Sequence, residues 1–302
     1  MLITFEQVLI LLVFALAGYI LSKCGLANPD HTKILSTLLV YVFLPCISFK
    51  TFATRFTVAY LGEKYPLILV SLGVLAVIMV MARVLSRVLV KDEYQQRIYE
   101  YTLIVPNISY IGYALAEGIY GEAVLMDMMM FTLPMSVYIS TVAYANLTTK
   151  GGQKVSWKRA FSPSTVAILL GAVVGLSGLE LPNLMLQVVT KSAACMGPVS
   201  MLLTGIVISQ FRIRDMVLAP KTYLICALRL LVIPTVVFLL LKLVGLELAI
   251  TSAVLTYCMP CGANTIIFAR LAGQDCKTGA SFAMVSILLS LLTVPLCLYI
   301  FL

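Results

Sequence analysis

Charge is scarce in this chain of 302 residues, which contains 21 Lys and Arg, 13 Asp and Glu, one His and one Trp. Charged residues make up 11% of the sequence, whereas soluble domains carry about 25%. Hydrophobic residues make up 61%, and the mean hydropathy is +1.04. This composition excludes a disordered chain, a nucleic-acid-binding protein and an ordinary soluble enzyme. No basic cluster accompanies the net charge of +8, so the sequence indicates a polytopic membrane protein with basic loops.

Patterns for metal binding and for catalysis are also sparse. Cys258 and Cys261 form a CxxC, but it lies inside an apolar segment without a second pair or a nearby His. We therefore predict no metal and no cofactor, and we interpret these cysteines as buried apolar thiols. The sole His31 lies in a loop, and neither HExxH nor a pair of intramembrane Asp occurs. An intramembrane enzyme is therefore not expected.

Ten apolar segments are long enough to cross a bilayer, which takes about 20 residues per helix. Little sequence is left between them, so the predicted fold is an all-α polytopic membrane protein with ten transmembrane helices and no large soluble domain. The predicted spans 1 to 10 are residues 5–22, 34–52, 66–88, 98–116, 123–146, 164–180, 184–209, 220–242, 247–269 and 277–301.

The Lys and Arg residues predict the orientation of the chain. If the N-terminus lies outside, fifteen of them fall in cytoplasmic loops and four, Lys50, Arg55, Lys64 and Lys242, in outer loops. Because cytoplasmic loops carry the excess of Lys and Arg, we predict that both termini lie outside. The first segment has no Lys or Arg before it, so we interpret it as a retained span rather than a signal peptide.

The two halves of the chain share landmarks at an offset of about 153 residues. Five spans in each half is an odd number, so the second half must be inverted in the membrane, as in many secondary transporters. The predicted units are residues 1–146, a cytoplasmic linker 147–163, and residues 164–302. The matched landmarks are Pro45 and Pro198, Pro106 and Pro260, and Gly121 and Gly273, the two glycines being predicted to end the segments that contain Pro106 and Pro260.

Spans 4 and 9 each contain a proline near the middle of the membrane, followed by small or amide residues. Proline removes a backbone donor and glycine adds freedom, so both helices are expected to break. Unpaired backbone at this depth is tolerated only where it is buried in protein or faces a cavity. If the breaks cross, two half-helix N-termini suit a carboxylate, and the C-terminal ends suit a cation.

Residues at the two breaks are the candidate substrate-binding residues. An amide is costly at this depth unless it is used. Asn and Ser also join membrane helices, so both roles stay open here. The candidates are Pro106, Asn107, Ser109, Tyr110, Pro260, Gly262, Asn264 and Thr265.

Two basic residues are left over from this count of loop charges, lie inside predicted spans and are candidate charge partners of a substrate. Lys191 lies in span 7 and Arg229 in span 8. Lys191 alternatively extends to the membrane surface, and Arg229 alternatively has a structural role. No carboxylate lies clearly at mid-membrane, so coupling to a proton or to sodium stays open, as does uncoupled transport.

These segments resemble the auxin efflux carrier family over essentially the whole chain. One departure follows Asn107, where the chain reads NISYIGY and Tyr113 stands where the family commonly has proline. The resembling segments are FLPCISF in span 2, VPNISYIGYALAEGIYGE in span 4, AACMGPVSMLLTGIVIS in span 7, LRLLVIPTVVF in span 8, MPCGANTIIFARLAGQD in span 9 and SLLTVPLCLYIF in span 10.

The resemblance implies two inverted repeats of five helices with crossed broken helices 4 and 9, similar to bile-acid symporters and sodium/proton antiporters. It implies a scaffold of spans 1, 2, 6 and 7, a transport domain of spans 3–5 and 8–10, and a homodimer. Substrate is then expected near Pro106, Asn107, Pro260 and Asn264. The short loop between the halves is similar to the bacterial form, which implies the bacterial inner membrane.

The resulting hypothesis is a secondary transporter in the plasma membrane. It would move a small organic anion, such as malate or an auxin-like acid, by alternating access, with the lipid bilayer as its surroundings. A channel or a membrane sensor is the alternative. Nothing resembles a repeated selectivity filter, and the predicted inverted repeat favours a carrier.

Overall fold

The computed structural model describes residues 2–148, 161–210, 220–262, 264–271, 273–274 and 277–302, and this part of the chain is built from helices and loops. Seven of its helices are long and apolar enough to cross a membrane, which agrees with the predicted polytopic membrane protein. They are Ile3–Lys23, His31–Arg55, Val58–Leu89, Glu122–Thr148, Asn183–Ser209, Pro220–Val244 and Lys277–Phe301.

In the first half of the chain, several helices follow one another through a π-helical turn. Three π-helical turns interrupt the α-helices, at Leu39–Phe43, Ile108–Gly112 and Ile139–Ala143. The helices are α1 (Leu2–Lys23), α2 (Pro29–Leu38), α3 (Leu44–Arg55), α4 (Val58–Lys64), α5 (Pro66–Leu89), α6 (Glu93–Ile104), α7 (Tyr113–Tyr120), α8 (Glu122–Tyr138) and α9 (Tyr144–Thr148).

The described residues of the second half are also helices joined by short turns and loops. A π-helical turn at Leu228–Val232 joins two of its helices, and a short 3₁₀ turn spans Glu247–Ala249. The helices are α10 (Pro163–Ser177), α11 (Asn183–Ala194), α12 (Met196–Ser209), α13 (Pro220–Ala227), α14 (Ile233–Val244), α15 (Ile250–Tyr257), α16 (Asn264–Leu271) and α17 (Lys277–Phe301).

Local sequence explains where several of these helices begin and end. Asp92 caps α6, because its carboxylate accepts the N–H of Gln95 at 2.8 Å. Gly121 has a φ of 81° and separates α7 from α8, and Gly273, with a φ of 62°, follows α16. Only glycine adopts such angles without strain, so both glycines end helical segments, as the sequence predicted.

Three of the ten predicted spans are not single helices of spanning length in the structure. Spans 4 and 9, predicted as residues 98–116 and 247–269, are each divided at their proline, which confirms the two predicted breaks. Span 6 is the helix Pro163–Ser177 of 15 residues. At 1.5 Å per residue it is about 22 Å long, less than the ~30 Å hydrocarbon core. Most of the predicted linker lies outside the described residues, but α9 extends into it as far as Thr148.

Helix packing divides the described chain into two groups. In the first group, α1 packs along α12, and α3 packs along α10 and α11. In the second group, α5 packs on α6 and α8, α8 also packs on α15, and α13 packs on α17. Contacts of α3 with α8 and of α1 with α7 and α17 join the two groups.

Glycines let the helices of the first group approach backbone to backbone. A Cβ atom at Gly18 of α1 would overlap the Leu202 carbonyl of α12, and one at Gly205 would overlap the Ala15 carbonyl. A Cβ atom at Gly171 of α10 would lie 2.7 Å from the Phe49 carbonyl oxygen of α3. Small residues at such crossings are how membrane helices associate without a hydrophobic driving force.

A buried ion-pair cluster, here called the Lys50 cluster (Lys50, Arg55, Glu117 and Glu122), connects α3 to α7 and α8. Lys50 Nζ lies 2.9 Å from Glu117 Oε1 and 2.7 Å from Glu122 Oε1, and only 8% of its side chain is exposed. Arg55 Nη2 lies 3.2 Å from Glu122 Oε2, and 49% of its side chain is exposed. The cluster therefore ties the first packing group to the second.

We expect Gly205→Ala to destabilise the fold by about 3 kcal/mol, the upper end of overpacking penalties, because the atoms in the way are backbone. Gly73→Ala is the matched control, since a Cβ atom there meets nothing within 4 Å. It should change stability by less than about 1 kcal/mol. Thermal unfolding in detergent measures both variants, and an equal loss in the two would contradict the proposed close approach of α1 and α12.

We expect Lys50→Met to destabilise the protein by about 3 kcal/mol, because removing the buried cation leaves Glu117 without its ion pair and Glu122 with Arg55 alone. The control is Arg55→Met, where the exposed pair contributes less than about 1 kcal/mol. The same unfolding measurement applies. A larger loss for Arg55→Met than for Lys50→Met would show that Lys50 does not hold the cluster together.

Candidate functional site

The two helix breaks meet in the structure. Pro106 forms an isolated antiparallel β-bridge with Cys261, and the N–H of Asn107 donates to the Pro260 carbonyl at 2.8 Å. We call this region the crossover, residues 105–109 and 258–264, of which 263 lies outside the described residues. A backbone hydrogen bond thus joins spans 4 and 9 at their prolines, and both prolines are buried.

The helix resumes directly after the first break. The Asn107 carbonyl accepts the N–H of Gly112 at 3.0 Å, which begins the π-helical turn Ile108–Gly112. A π-helical turn is wider than an α-helical turn and is frequent at functional sites. The second half of span 4 therefore begins with backbone N–H groups next to the break, at a half-helix N-terminus.

The two candidate asparagines have different surroundings. Asn107 is 4% exposed, and its Nδ2 has no hydrogen-bond partner among the described residues. Asn264 is half-buried, and its Nδ2 donates to the Tyr101 hydroxyl at 2.9 Å. A buried donor without a partner is unfavourable, so Asn107 is the better candidate for a ligand contact. Asn264 joins span 9 to the first half of span 4.

The remaining candidates from the sequence surround the same breaks. Ser109 is half-buried, and Tyr110 is buried with its carbonyl accepting the Ser200 hydroxyl of α12 at 3.0 Å. Thr265 is buried, and its hydroxyl donates to the Gly262 carbonyl at 3.2 Å. Gly262 does not use the freedom predicted for it, because its φ is not positive and a Cβ atom would make only ordinary contacts.

The structure separates the two candidate charge partners. Lys191 has an exposed side chain on α11. Arg229 is 0% exposed and lies in the π-helical turn between α13 and α14. Its Nη1 donates to the Leu103 carbonyl at 3.4 Å, and its Cζ lies 5.7 Å from the centre of the Tyr257 ring. Arg229 is thus the cation that lies beside the broken helices.

Three residues with a structural role near the proposed site or the cavity were not predicted from the sequence. Tyr101, the partner of Asn264, lies five residues before Pro106 and belongs to no motif. Ser286 of α17 accepts the N–H of Cys261 at 2.9 Å and thereby fixes the second break. Lys50 was counted with the outer loops, although it lies in α3 and is buried. Its position two residues inside predicted span 2 was the available signal.

A cavity of about 210 Å³ lies between the two packing groups. Glu117 and Gln7 are its polar lining residues, and apolar lining comes from α1, α3, α7, α11 and α12. Glu117 also belongs to the Lys50 cluster. Pockets for drug-sized ligands are about 300–1,000 Å³, so this cavity suits a smaller solute.

Comparison with known proteins agrees with the resemblance that the motifs indicated. The family described as "Membrane transport protein" matches residues 3–154 and 147–298. An uncharacterized transporter of Methanocaldococcus jannaschii is 23% identical, with 97% of each chain covered. An uncharacterized transporter of Methanothermobacter thermautotrophicus is 25% identical, with 96% of each chain covered. The chain belongs to the auxin efflux carrier family of membrane transport proteins.

Proposed function

We propose that this membrane transport protein is a secondary carrier that moves a small organic anion by alternating access, with the substrate bound at the crossover. The observation that carries the proposal is the buried Nδ2 of Asn107, which has no partner among the described residues and lies where two broken helices meet. A donor at this depth gains its hydrogen bond when a ligand with acceptor oxygens arrives.

Electrostatics at the crossover favour an anion over a neutral solute or a cation. The half-helix that begins at Ile108 directs N–H groups and a partial positive charge toward the break. Arg229 adds a full positive charge nearby, and its Nε and Nη2 have no partner among the described residues. Asn107, Arg229 and a helix N-terminus together supply the donors that a carboxylate needs.

The ten-helix inverted repeat is part of this proposal, and two helix contacts support it. Gly18 approaches Leu202, and Gly171 approaches Phe49. Gly18 and Gly171 are 153 residues apart, and so are Phe49 and Leu202. The same backbone contact therefore occurs once between spans 1 and 7 and once between spans 6 and 2, as expected for inverted repeats.

The two packing groups supply the parts that alternating access requires. The first group contains spans 1, 2, 6 and 7, which we assign as the scaffold, and the second contains spans 3–5 and 8–10, which we assign as the transport domain. The cavity of about 210 Å³ lies between them and is lined by Ala114 of α7 and Pro198 of α12. Movement of one group against the other would open and close this path.

The loop charges further place both termini outside the plasma membrane in this proposal. Residues 149–160 and 211–219, which carry much of the predicted cytoplasmic charge, lie outside the described residues. A homodimer, as implied by the family, completes the proposal.

The predicted orientation is tested with a cysteine added at the N-terminus. On whole cells it should react with a membrane-impermeant thiol reagent, and failure to react would contradict an outer N-terminus.

Counterflow in proteoliposomes tests the function. Protein is reconstituted with unlabelled malate, malonate or an indole carboxylate inside, and uptake of the labelled compound is measured. A carrier exchanges labelled for unlabelled solute and saturates. Flux without saturation or exchange would indicate a channel and contradict alternating access. Exchange of neutral solutes and of no carboxylate would contradict the anion assignment.

Asn107→Ala should lower this exchange about tenfold or more. One hydrogen bond to an ionised group contributes about 1.5–3 kcal/mol, and about 1.4 kcal/mol corresponds to a factor of ten. The control is Asn183→Ala, because Asn183 is exposed at the start of α11. Normal exchange by a well-folded Asn107→Ala variant would remove Asn107 from the site.

A further inference from the structure

The break in span 4 leaves a backbone carbonyl without its helical partner. In a continuous helix the Leu103 carbonyl accepts the N–H of residue 107. Here the Asn107 N–H donates to Pro260 instead, at 2.8 Å. Arg229 Nη1 replaces that donor and lies 3.4 Å from the Leu103 oxygen. The arginine therefore caps the C-terminal end of the half-helix α6.

The break in span 9 has the same effect at the matching position. The Tyr257 carbonyl would accept the N–H of residue 261, but the Cys261 N–H donates to the Ser286 hydroxyl at 2.9 Å. Tyr257 is the last residue of α15, and the Arg229 guanidinium lies 5.7 Å from its ring centre. One guanidinium thus lies beside the C-terminal residues of both broken half-helices.

These C-terminal ends carry partial negative charge and attract cations. In other transporters with discontinuous helices, unwound carbonyls and half-helix C-termini coordinate the coupling ion. Arg229 is 0% exposed, and no carboxylate pairs with it in the described part of the chain. Arginine stays charged in proteins. Among the described residues its charge is therefore balanced by the Leu103 carbonyl at the end of α6 and by the Tyr257 ring, without an acidic side chain.

We propose that Arg229 is a resident cation that takes the place of a coupling metal ion at the crossover, so that the crossover binds no sodium. A second cation between the same helix ends would be repelled by the guanidinium. The Nε and Nη2 of Arg229, which have no partner among the described residues, then donate to the bound anion, and the guanidinium balances its charge in place of a co-transported ion. This inference rests on the proposed function for the identity of the bound anion.

Two measurements on the purified full chain test the proposal without any organic substrate. The first is equilibrium binding of radioactive sodium to the wild-type protein, with choline chloride keeping ionic strength constant. We expect no saturable binding. Saturable sodium binding by the wild type would overturn the proposal. The counterflow assay is separate, so failure here is distinguishable from failure of the carrier function.

The second measurement is rescue by guanidinium. We expect Arg229→Ala to lower the apparent Tm, and guanidinium chloride at millimolar concentration to restore most of the loss where choline chloride does not. Arg229→Lys, which keeps the charge, should retain most of the wild-type Tm. Gly205→Ala is the matched control, because its instability has a steric cause and guanidinium should not restore it.

Each outcome of the rescue decides the question. Restoration of Arg229→Ala by guanidinium, but not of Gly205→Ala, supports a cation position between the helix ends. If guanidinium changed the apparent Tm of the two variants equally, Arg229 would only fill space, and the proposal would be overturned. If Arg229→Ala is not recovered as folded protein, Arg229→Lys and the wild-type sodium measurement decide, and instability of Arg229→Lys as severe as that of Arg229→Ala counts against the resident cation.

Discussion

Backbone hydrogen bonding inside the membrane is the constraint on which the rest of the structure depends. Proline at positions 106 and 260 removes an N–H in the middle of two spans, where no lipid group can replace it. The structure satisfies part of the loss by pairing the breaks, with Asn107 donating to Pro260. Ser286 and Arg229 satisfy more of it from neighbouring spans. The remaining donors are available to a solute.

The charged residues follow from the same constraint. The Lys50 cluster is neutral, because its two cations pair with two carboxylates, and it joins the two packing groups, with Glu117 also lining the cavity. Arg229 has no such partner among the described residues and lies at broken helix ends. The neutral cluster joins helices of the two groups, whereas Arg229, which contacts a backbone carbonyl and an aromatic ring, is the cation that we propose attracts an anion. The two buried cations therefore have different roles in this account.

Much of the crossover was predictable from the sequence, because prolines and glycines act locally. Pro106 and Pro260 indicated both breaks, and Gly121 and Gly273 indicated helix ends that the backbone angles confirm. Partners distant in sequence were not predictable. Nothing in the sequence around Lys50 indicates that it pairs with Glu117. Arg229 donates to a backbone carbonyl, and every residue has one, so the residue type of the acceptor gives no signal in the sequence.

The number of membrane-spanning helices differs between the hydropathy pattern and the structure. Hydropathy found ten apolar segments, but it averages over a window and does not register a break inside one. The structure has seven helices of spanning length in its described residues, a shorter one at Pro163–Ser177, and two divided spans. The divided spans are the ones that meet at the proposed site, so the segments that least resemble ordinary membrane helices are the ones to which we assign substrate binding.

In the proposed function, the crossover binds solute and faces the two sides of the membrane in turn. Labelling of Ser109→Cys, in a background without other cysteines, tests it most directly. A membrane-impermeant thiol reagent is applied to right-side-out and to inside-out vesicles. We expect Cys at position 109 to react from both sides and to be protected by the transported carboxylate. Reaction from one side only, unchanged by any carboxylate, would contradict it.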